Sequence, residues 1–408
     1  MDGAGGPRVT AAMVAERAGT SVSTVSLVVN GKSRGRVSPA ITERVRTAVH
    51  ELGYVVDHAA SSLARGRTDL VVLLAPDLPN PYFGRVTTGI REALGDRHQL
   101  MLSVIASGTQ PGADDVRRVA AFRPAGLLVH APSPTFLDEL DPGGPPLVLL
   151  DAPGFEDRAA TVTFDLRPGV RALVGHLAAA GHRTIAYLDG ATPSATFAVR
   201  RAWLREIAAT HGITVLGAGD DPDRPPAATG HARDGSAGSD RARDGSTRSA
   251  RTPDHSTRPD RAPDDSARSA RTPDGSTRSD RTPDGSAGPV RAGLSLDAAA
   301  DTAVGAIPGW LDAGATAVVA AADTLAYGVL AAAHRLGLDV PGDLAVAGFD
   351  DLPYSQVTAP PLTSVALPAE ELGRAAAHRL TALLTGTDTP GPAPLASRLA
   401  VRASTAPP

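Results

Sequence analysis

The 408-residue sequence contains no cysteine, so it can form no disulfide and supplies no thiolate for catalysis or zinc binding. Long apolar runs are also missing, and none approaches the roughly 18 residues that span a bilayer. Residues 1–10 lack the hydrophobic core of a secretory signal. We therefore expect a soluble cytoplasmic protein with no membrane partner.

Lysine is nearly absent, because Lys32 is the only one and arginine carries the remaining positive charge. The formal net charge of -4 is unevenly distributed: residues 1–69 carry +3, which leaves -7 for the rest. A basic end on an acidic body is typical of a nucleic-acid reader with a separate sensing domain. Chance clustering of charge explains the asymmetry equally well when it is taken alone.

Enzyme motifs are missing or out of place. The segment GKSRG at residues 31–35 matches a nucleophile elbow, but it lies between two predicted helices and not at a strand-to-helix turn. It also lacks the earlier glycine of a phosphate loop, no GxGxxG follows a strand, and no histidines have HExxH spacing. The sequence predicts no catalytic residue, no metal site and no cofactor.

Capping residues divide the first fifty residues into three short helices. Each predicted helix follows a Ser or Thr and stops at a glycine: Thr10 to Gly19, Ser21 to Gly31, and Ser38 to Gly53. Apolar residues at helical spacing form one small predicted core: Met13, Val14, Val25, Val28, Val29, Ile41, Val45, Val49 and Leu52. A tight glycine turn between the first two helices favours a helix-turn-helix, although a structural bundle fits the same pattern.

From Leu70 onward, apolar runs typical of buried strands alternate with amphipathic stretches. The predicted strands are LVVLLA, QLMLSVI, AGLLVH, PLVLLD, TIAYL, TAVVAA and LAVAGF. The predicted helices include residues 81–94, 168–181, 198–212 and 325–337, and two more begin near Ser295 and at Pro368. This alternation predicts an α/β body of parallel sheets covered by helices on both faces, with ligands bound beyond the carboxyl ends of the strands.

Residues 232–291 form six tandem decapeptides, each ending in Arg, with twelve Arg, ten Asp and almost no apolar side chain. Such a segment buries too little surface to offset the entropy of ordering, so we predict that it is a disordered insertion. The spacing of its aspartates drifts and does not match calcium-binding repeats.

The N-terminal stretch VTAAMVAERAGTSVSTVSLVVNGKSRGRVSPAITERVRTAVHELGYV resembles the headpiece of the lactose-repressor (LacI/GalR) family of bacterial transcriptional regulators. Further resemblances follow in PDLPNPYFGRVTTGIREAL, GHRTIAYLDG, AADTLAYG and VAGFDDLPYSQVTAPPLTSVALPAEELGRAAA. The similarity covers the chain apart from the repeat. It implies a three-helix headpiece followed by a two-lobed, doubly wound domain like that of periplasmic binding proteins.

The resemblance also implies domain limits. They are a headpiece at 1–56, a hinge helix and linker at 57–69, and an effector and dimerisation domain at 70–408. Within that domain, lobe one is expected at about 70–164 and 368–387 and lobe two at about 165–367 and 395–404, with the 232–291 insertion in lobe two.

The second predicted helix is expected to enter the major groove of DNA. By resemblance, Val22 and Ser23 read bases, and three other residues position the helix: Thr24, Ser26 and Asn30. Ser21, at the exposed start of the helix, is a further predicted DNA-binding residue. Leu27 stands where many relatives have a base-reading arginine. In the hinge segment, Leu63 is expected to wedge into the minor groove, with a leucine packed on the body as the alternative.

Four residues are expected to meet a small-molecule effector between the lobes: Phe83, Asp151, Arg200 and Asp350. Phe83 would stack on a ring, and the two aspartates end predicted strands, where a loop cap is the alternative role. Asp323 is expected to cap its helix. Ala322 and Val199 depart from residues common in sugar-binding relatives.

These residues together predict a homodimeric repressor that binds a pseudo-palindromic double-stranded operator under the control of an effector such as a sugar or related metabolite. A transporter solute-binding protein would share the two-lobed body, but it would need an export signal and no headpiece. An enzyme on a doubly wound fold would need a catalytic constellation.

Overall fold

A computed structural model describes residues 9–29, 31–54, 68–75, 80–105, 109–141, 143–192, 194–217, 289–387 and 391–405. Three helices come first: α1 (Ala11–Ala18), α2 (Val22–Val29) and α3 (Pro39–Leu52). The predicted caps are confirmed, since the side chains of Thr10, Ser21 and Ser38 each accept a hydrogen bond from a backbone N–H three residues later.

The three helices share a small core in which Val14, Val25, Val28 and Val45 are buried. Met13 is an exception to the predicted core, because its side chain is 39% exposed. It precedes the fully buried Val14, and the helical step of about 100° per residue turns it towards solvent.

The first sheet is parallel and is built from residues 70–162. In chain order its elements are β1 (Leu70–Ala75), α4 (Pro81–Leu94), β2 (Gln99–Val104), α5 (Ala113–Ala120), β3 (Gly126–His130), β4 (Leu147–Leu150) and β5 (Thr161–Val162). The strand order is β2-β1-β3-β4-β5, so β2 lies at one edge. Strands β1, β3 and β4 are apolar and almost wholly buried, as expected for a parallel sheet with both faces covered.

The second sheet has its own set of helices. The chain continues through β6 (Phe164–Asp165), α6 (Arg167–Ala179), β7 (Thr184–Gly190), α7 (Ala195–Thr210), β8 (Thr214–Leu216), β9 (Val290–Ala292), α8 (Leu296–Asp312), β10 (Ala317–Ala320), α9 (Asp323–Arg335), β11 (Ala345–Asp350), β12 (Thr363–Ala366), α10 (Ala369–Thr385), β13 (Leu395–Ala396) and β14 (Arg398–Ala400). The strand order is β14-β12-β11-β10-β7-β8, with β9 also paired to β7. Only β14 runs antiparallel to its neighbour in this sheet.

Helix α10 returns from the second sheet to pack on the first. Leu372, Ala376 and Leu380 are buried in the core that contains Val86 and Ile90 of α4. Two glycines permit this close approach: a Cβ on Gly89 would lie 1.9 Å from the Glu370 carbonyl oxygen, and one on Gly373 would lie 2.1 Å from that of Val86. We call the first sheet with α4, α5 and α10 lobe one, and the second sheet with α6 to α9 lobe two.

Strands β8 and β9 lie one after the other along the same edge of β7. Leu216 is paired with Ala186, and Val290 with Leu188. A Cβ on Gly217 would lie 3.8 Å from the Val290 nitrogen, so the two ends of the intervening segment are adjacent.

The prediction that residues 232–291 are disordered is wrong for the last two of them. Val290 and Arg291 belong to β9, because Val290 packs against the core of lobe two and both residues pair with β7. Residues 232–288 of the repeat lie outside the described residues.

Candidate functional sites: a DNA-facing helix and a cleft between two lobes

Helix α2 has one buried and one open face. Val25 and Val28 are buried against the other two helices, while Val22 is 49% exposed. Ser23 and Ser26 are exposed as well, and Thr24 is half-buried. The predicted base-reading and positioning residues among positions 21–26 thus lie at the start of the helix and along its open side.

The N-terminus of α2 is fixed by a local network. The Ser21 hydroxyl accepts from the Thr24 nitrogen at 3.2 Å and bonds to the Thr24 hydroxyl at 2.9 Å. This cap sets the direction in which the first turn points its remaining N–H groups, which suits contact with phosphate.

The loop after α2 carries three exposed cations, Lys32, Arg34 and Arg36. The backbone of Lys32 donates to the Leu27 carbonyl at 2.8 Å, which holds the loop against the helix. Two other predicted DNA contacts, Asn30 and Leu63, lie outside the described residues.

A cleft with about 740 Å³ of space, including its open mouth, lies between the lobes. Lobe one lines it with Asn80, Tyr82, Phe83, Thr109, Gln110, His130, Ala131 and Asp151, and lobe two with Thr192, Ser194, Thr196, Phe197, Arg200, Leu294, Ala322 and Asp350. All four residues predicted for the effector are in this lining.

Parallel strands bring these residues together, because their carboxyl ends share one edge of each sheet. His130 ends β3 and Asp151 directly follows β4, while Asp350 ends β11. The cleft is therefore formed where the strand ends of the two sheets face each other.

Three rings form one wall of the cleft. The Phe83 and His130 ring centroids are 5.0 Å apart, and Tyr82 stands edge-on to both at 5.3 and 5.4 Å. The Tyr82 hydroxyl lies 3.4 Å from His130 Nε2, and burial lowers the pKa of His130 to about 3, so this imidazole is neutral at physiological pH. Phe83 is buried within this cluster.

Sequence reasoning missed Tyr82 and His130. His130 ends the predicted strand AGLLVH in the same way that Asp151 ends PLVLLD, so the strand-end rule that selected the aspartate would have selected the histidine too.

Arg200 forms a buried ion pair on the lobe-two side of the cleft. Its Nη2 lies 3.0 Å from Asp350 Oδ1, and its Nη1 donates to the Ala321 carbonyl at 2.6 Å. Both side chains of the ion pair are about 5% exposed. Burial raises the pKa of Asp350, and the guanidinium of Arg200 opposes that rise.

Asp151 has no such direct counter-charge. Its Oδ2 is buried and makes no hydrogen bond within the described part of the protein. Burial raises the pKa of Asp151 to about 6, against the lowering effect of Arg200. His130 Nδ1 and Arg200 Nε are likewise buried and without a partner among the described residues. The cleft thus presents buried polar atoms that a bound molecule can satisfy.

Hydrogen bonds also cross directly from one lobe to the other. The Thr196 hydroxyl donates to the Asp151 carbonyl at 3.2 Å, and Arg85 Nη1 donates to the Asp351 carbonyl at 3.1 Å. Both contacts join residues of different lobes, so they are sensitive to the spacing of the lobes.

Asp323 does not cap its helix as predicted. It is the first residue inside α9, whose N-cap is Ala322. Its carboxylate instead accepts from the Leu352 nitrogen at 2.8 Å, the Ser355 hydroxyl at 2.5 Å and the Ser364 hydroxyl at 2.7 Å. These partners come from the chain after β11 and from β12, which no local pattern reveals.

Two family models match the chain. Residues 12–57 match the bacterial regulatory proteins of the lacI family, and residues 266–405 match the periplasmic binding protein-like domain. The regulator CelR of Thermobifida fusca is 29% identical over 94% of this chain and 94% of its own length. The maltose regulon regulatory protein MalI of Escherichia coli is 33% identical over 47% of this chain and 57% of its own length.

Solved structures share the fold. A lac repressor dimer bound to operator and the anti-inducer ONPF superposes with a TM-score of 0.68 at 23% identity, covering 98% of this chain and 99% of that one. A CelR–cellobiose complex has a TM-score of 0.54 at 24% identity, covering 97% of this chain and all of that one.

A helix-turn-helix joined to a two-lobed, periplasmic-binding-protein-like domain defines a class of DNA-binding transcriptional regulators. The N-terminal part of the chain matches the model of the lacI family of bacterial regulatory proteins, and nearly the whole length of the chain is similar to the regulator CelR. Its curated relatives named here are regulators. Within the described residues no helix is long and apolar enough to cross a membrane.

Proposed function

We propose that this regulator is a cytoplasmic, non-catalytic repressor whose affinity for its operator is set by a small molecule bound in the cleft between the lobes. The observation that supports this most is the convergence of Phe83, Asp151, Arg200 and Asp350 on one cleft lining, although they are spread over nearly 270 positions of the sequence. We propose the headpiece at 1–56, the hinge at 57–69 and the effector domain at 70–408.

For DNA, we propose that Val22 and Ser23 read base edges and that Ser21, Thr24, Ser26 and Asn30 position α2 in the major groove. The exposed Lys32, Arg34 and Arg36 then contact phosphates, which gives affinity without sequence information. Leu63 is proposed to wedge between base pairs at the centre of the site.

For the effector, charge and hydrogen bonding define the class. Arg200 is already paired with Asp350, so Asp151 is the group left without direct compensation in the cleft. A bound anion would be repelled by this carboxylate, whereas a neutral molecule rich in hydroxyl groups donates to it. The rings of Tyr82, Phe83 and His130 offer an aromatic contact surface at one side. We therefore propose a neutral sugar or related polyol, in keeping with the cellobiose named for the CelR structure.

For assembly, we propose a homodimer. One α2 helix reads only a few base pairs, and a two-fold pair doubles the site. The edge strand β2 exposes apolar side chains, with Leu102 38% and Val104 46% exposed. A second copy of the chain would cover such an edge. Sedimentation of a Leu102→Asp, Val104→Asp variant should show a monomer if this edge is the interface.

The proposed function is tested by selecting bound duplexes from a random DNA pool and repeating the selection with added metabolites. We expect a pseudo-palindromic site whose occupancy changes with a neutral sugar. Glucose, cellobiose and ribose are the neutral probes, and gluconate and glucose 6-phosphate are anionic controls. An asymmetric site bound by a monomer contradicts the DNA part of the proposal, and release by the anionic probes alone contradicts the effector part.

A further inference from the structure

The chain leaves β11 through two residues with positive φ angles. Asp350 has φ 103° and Asp351 has φ 52°, and neither is glycine. Left-handed backbone in a residue with a side chain costs free energy, so the surroundings must hold it in place. Asp350 is the residue that meets Arg200 in the cleft, so this turn decides where its carboxylate points.

The carboxylate of Asp323 lies directly behind this turn and is fully buried. One oxygen accepts from the Leu352 nitrogen and the Ser355 hydroxyl, and the other accepts from the Ser364 hydroxyl. The Ser364 oxygen in turn accepts from the Asp351 nitrogen at 3.0 Å. The two residues that follow Asp350 are therefore fastened, directly or through one hydroxyl, to a single carboxylate.

The same carboxylate is also connected to lobe one, through its hydrogen bond with Leu352. Leu352, whose nitrogen it binds, has its side chain in the core of lobe one with Val86 and Leu372. Asp323 itself starts a helix of lobe two. Strand β11 leaves room for this carboxylate because residue 348 is a glycine. A Cβ at this position would lie only 2.3 Å from Asp323 Oδ1.

We propose that Asp323 is a positioning residue for the effector: it holds the Asp350–Asp351 turn so that Asp350 faces Arg200, and it ties this turn to the segment that enters lobe one. This inference rests on the proposed function for its consequence in effector binding. Asp323 does not line the cleft. It acts on the effector only through the shape of the turn.

Ser364→Ala provides a narrow test, because it removes the hydroxyl between Asp323 and the Asp351 nitrogen. Ser404→Ala is a matched control: Ser404 is equally buried, and its hydroxyl also makes two hydrogen bonds, from the Thr363 nitrogen at 2.8 Å and to the Val346 carbonyl at 2.6 Å. Asp323→Asn is a second test variant that keeps the side-chain shape and replaces one acceptor by a donor.

The first readout uses the unliganded full chain. Residue-level hydrogen exchange at the Asp351 and Leu352 amides should rise at least about tenfold in Ser364→Ala and Asp323→Asn and stay within about twofold of the parent in Ser404→Ala. Crystal structures of the same variants should show the Asp350–Arg200 contact broken or lengthened in the first two. Parental exchange and an unchanged contact in Ser364→Ala and Asp323→Asn would overturn the proposal.

The second readout is affinity for whichever neutral sugar of the panel changes operator occupancy. The two test variants should bind it about tenfold more weakly with unchanged operator affinity, and Ser404→Ala should bind it like the parent. If all three variants lost affinity for the sugar equally, Asp323 would have only a general structural role, and the proposal would be overturned. If no sugar acts, the proposed effector class fails, while the exchange and contact measurements still decide the role of Asp323.

Discussion

The two candidate binding surfaces of this protein are built in opposite ways. On α2 the polar residues are exposed at the start of a short helix and are arranged by a local cap between Ser21 and Thr24. In the cleft the charged residues Asp151, Arg200 and Asp350 are buried, and both aspartates have positive φ angles. Changes on the helix should therefore alter recognition with little effect on folding, whereas changes in the cleft should alter both.

The largest effect is expected for Asp350→Ala. This substitution leaves the Arg200 guanidinium buried without its carboxylate, and breaking a buried pair costs about 3–5 kcal/mol of unfolding free energy. Effector response should be lost as well. Urea unfolding and effector titration measure the two losses.

Glu51→Ala is the control for this prediction in the headpiece. Glu51 pairs with Arg17 at 2.7 Å, but both side chains are about half exposed, so its loss should cost less than about 1 kcal/mol. Similar costs for the two substitutions would contradict the contrast between the buried and exposed surfaces.

A pH effect of similar origin is expected at Asp151. Because burial raises its pKa to about 6, the folded protein holds this proton more tightly than the unfolded chain. Its contribution to stability is therefore fully present below about pH 4 and is lost as pH rises through about 6, a loss on the order of 3 kcal/mol. Asp151→Asn does not titrate, so the stability of the variant relative to the parent should rise across this window. A constant difference between pH 4 and pH 7 would show that Asp151 is not perturbed.

The headpiece and the cleft also differ in how much of each could be predicted from the sequence. The headpiece was predictable in detail because caps and glycine stops act within a few residues, as at Thr10 and Gly19. Strands such as β1 were equally clear, since an uninterrupted apolar run of this length suits a buried parallel strand. Helix α5 was missed, because its buried face consists of only Ala113, Val116 and Val119, which is too short a run for helical periodicity to stand out.

The cleft was predictable only in outline. Strand ends pointed to Asp151 and Asp350, but the partners of Asp323 come from residues about 30 to 40 positions away. Whether an aspartate at the start of a helix caps it or reaches another loop depends on tertiary packing, which local sequence does not contain. The same reason hid the contact between Tyr82 and His130.

On the DNA side, Ser23→Ala should reduce discrimination at one base pair by about 1–3 kcal/mol and change stability by less than about 0.5 kcal/mol. Arg34→Ala is the matched comparison, because Arg34 is exposed in the loop after α2 and is proposed to touch phosphate. It should weaken binding to all sequences alike and lower the slope of log K against log salt by about 0.9. Binding to a set of single-base operator variants at several salt concentrations separates the two patterns. A uniform loss in Ser23→Ala would contradict its role as a base reader.

The smallest effect is expected from deleting residues 232–288. The connection that contains this segment begins at β8 and ends at β9, which pair with the same strand, and loop closure changes by only about 0.6 kcal/mol per doubling of length. We expect a gain in stability of about 1 kcal/mol, with operator choice and effector response unchanged.

A second deletion that extends to Arg291 sharpens this test. It removes Val290 from the core of lobe two together with the pairing of β9, so it should be less stable than the shorter deletion. Thermal melting and DNA binding of both proteins decide the matter. A large loss in the shorter deletion would show that the repeat contributes to folding or binding.

The adjacency of Gly217 and Val290 also has a genetic consequence. Tandem repeats of DNA gain and lose units by replication slippage, and a repeat unit of ten codons keeps the reading frame at every step. Strands β8 and β9 hold the two ends of the connection between Gly217 and Val290 beside β7. A change in the number of decapeptides therefore leaves the pairing of both strands with β7 unchanged. Related chains are therefore expected to differ in the number of decapeptides while keeping the residues of β8 and β9. Selection for the fold would not oppose these changes in repeat number.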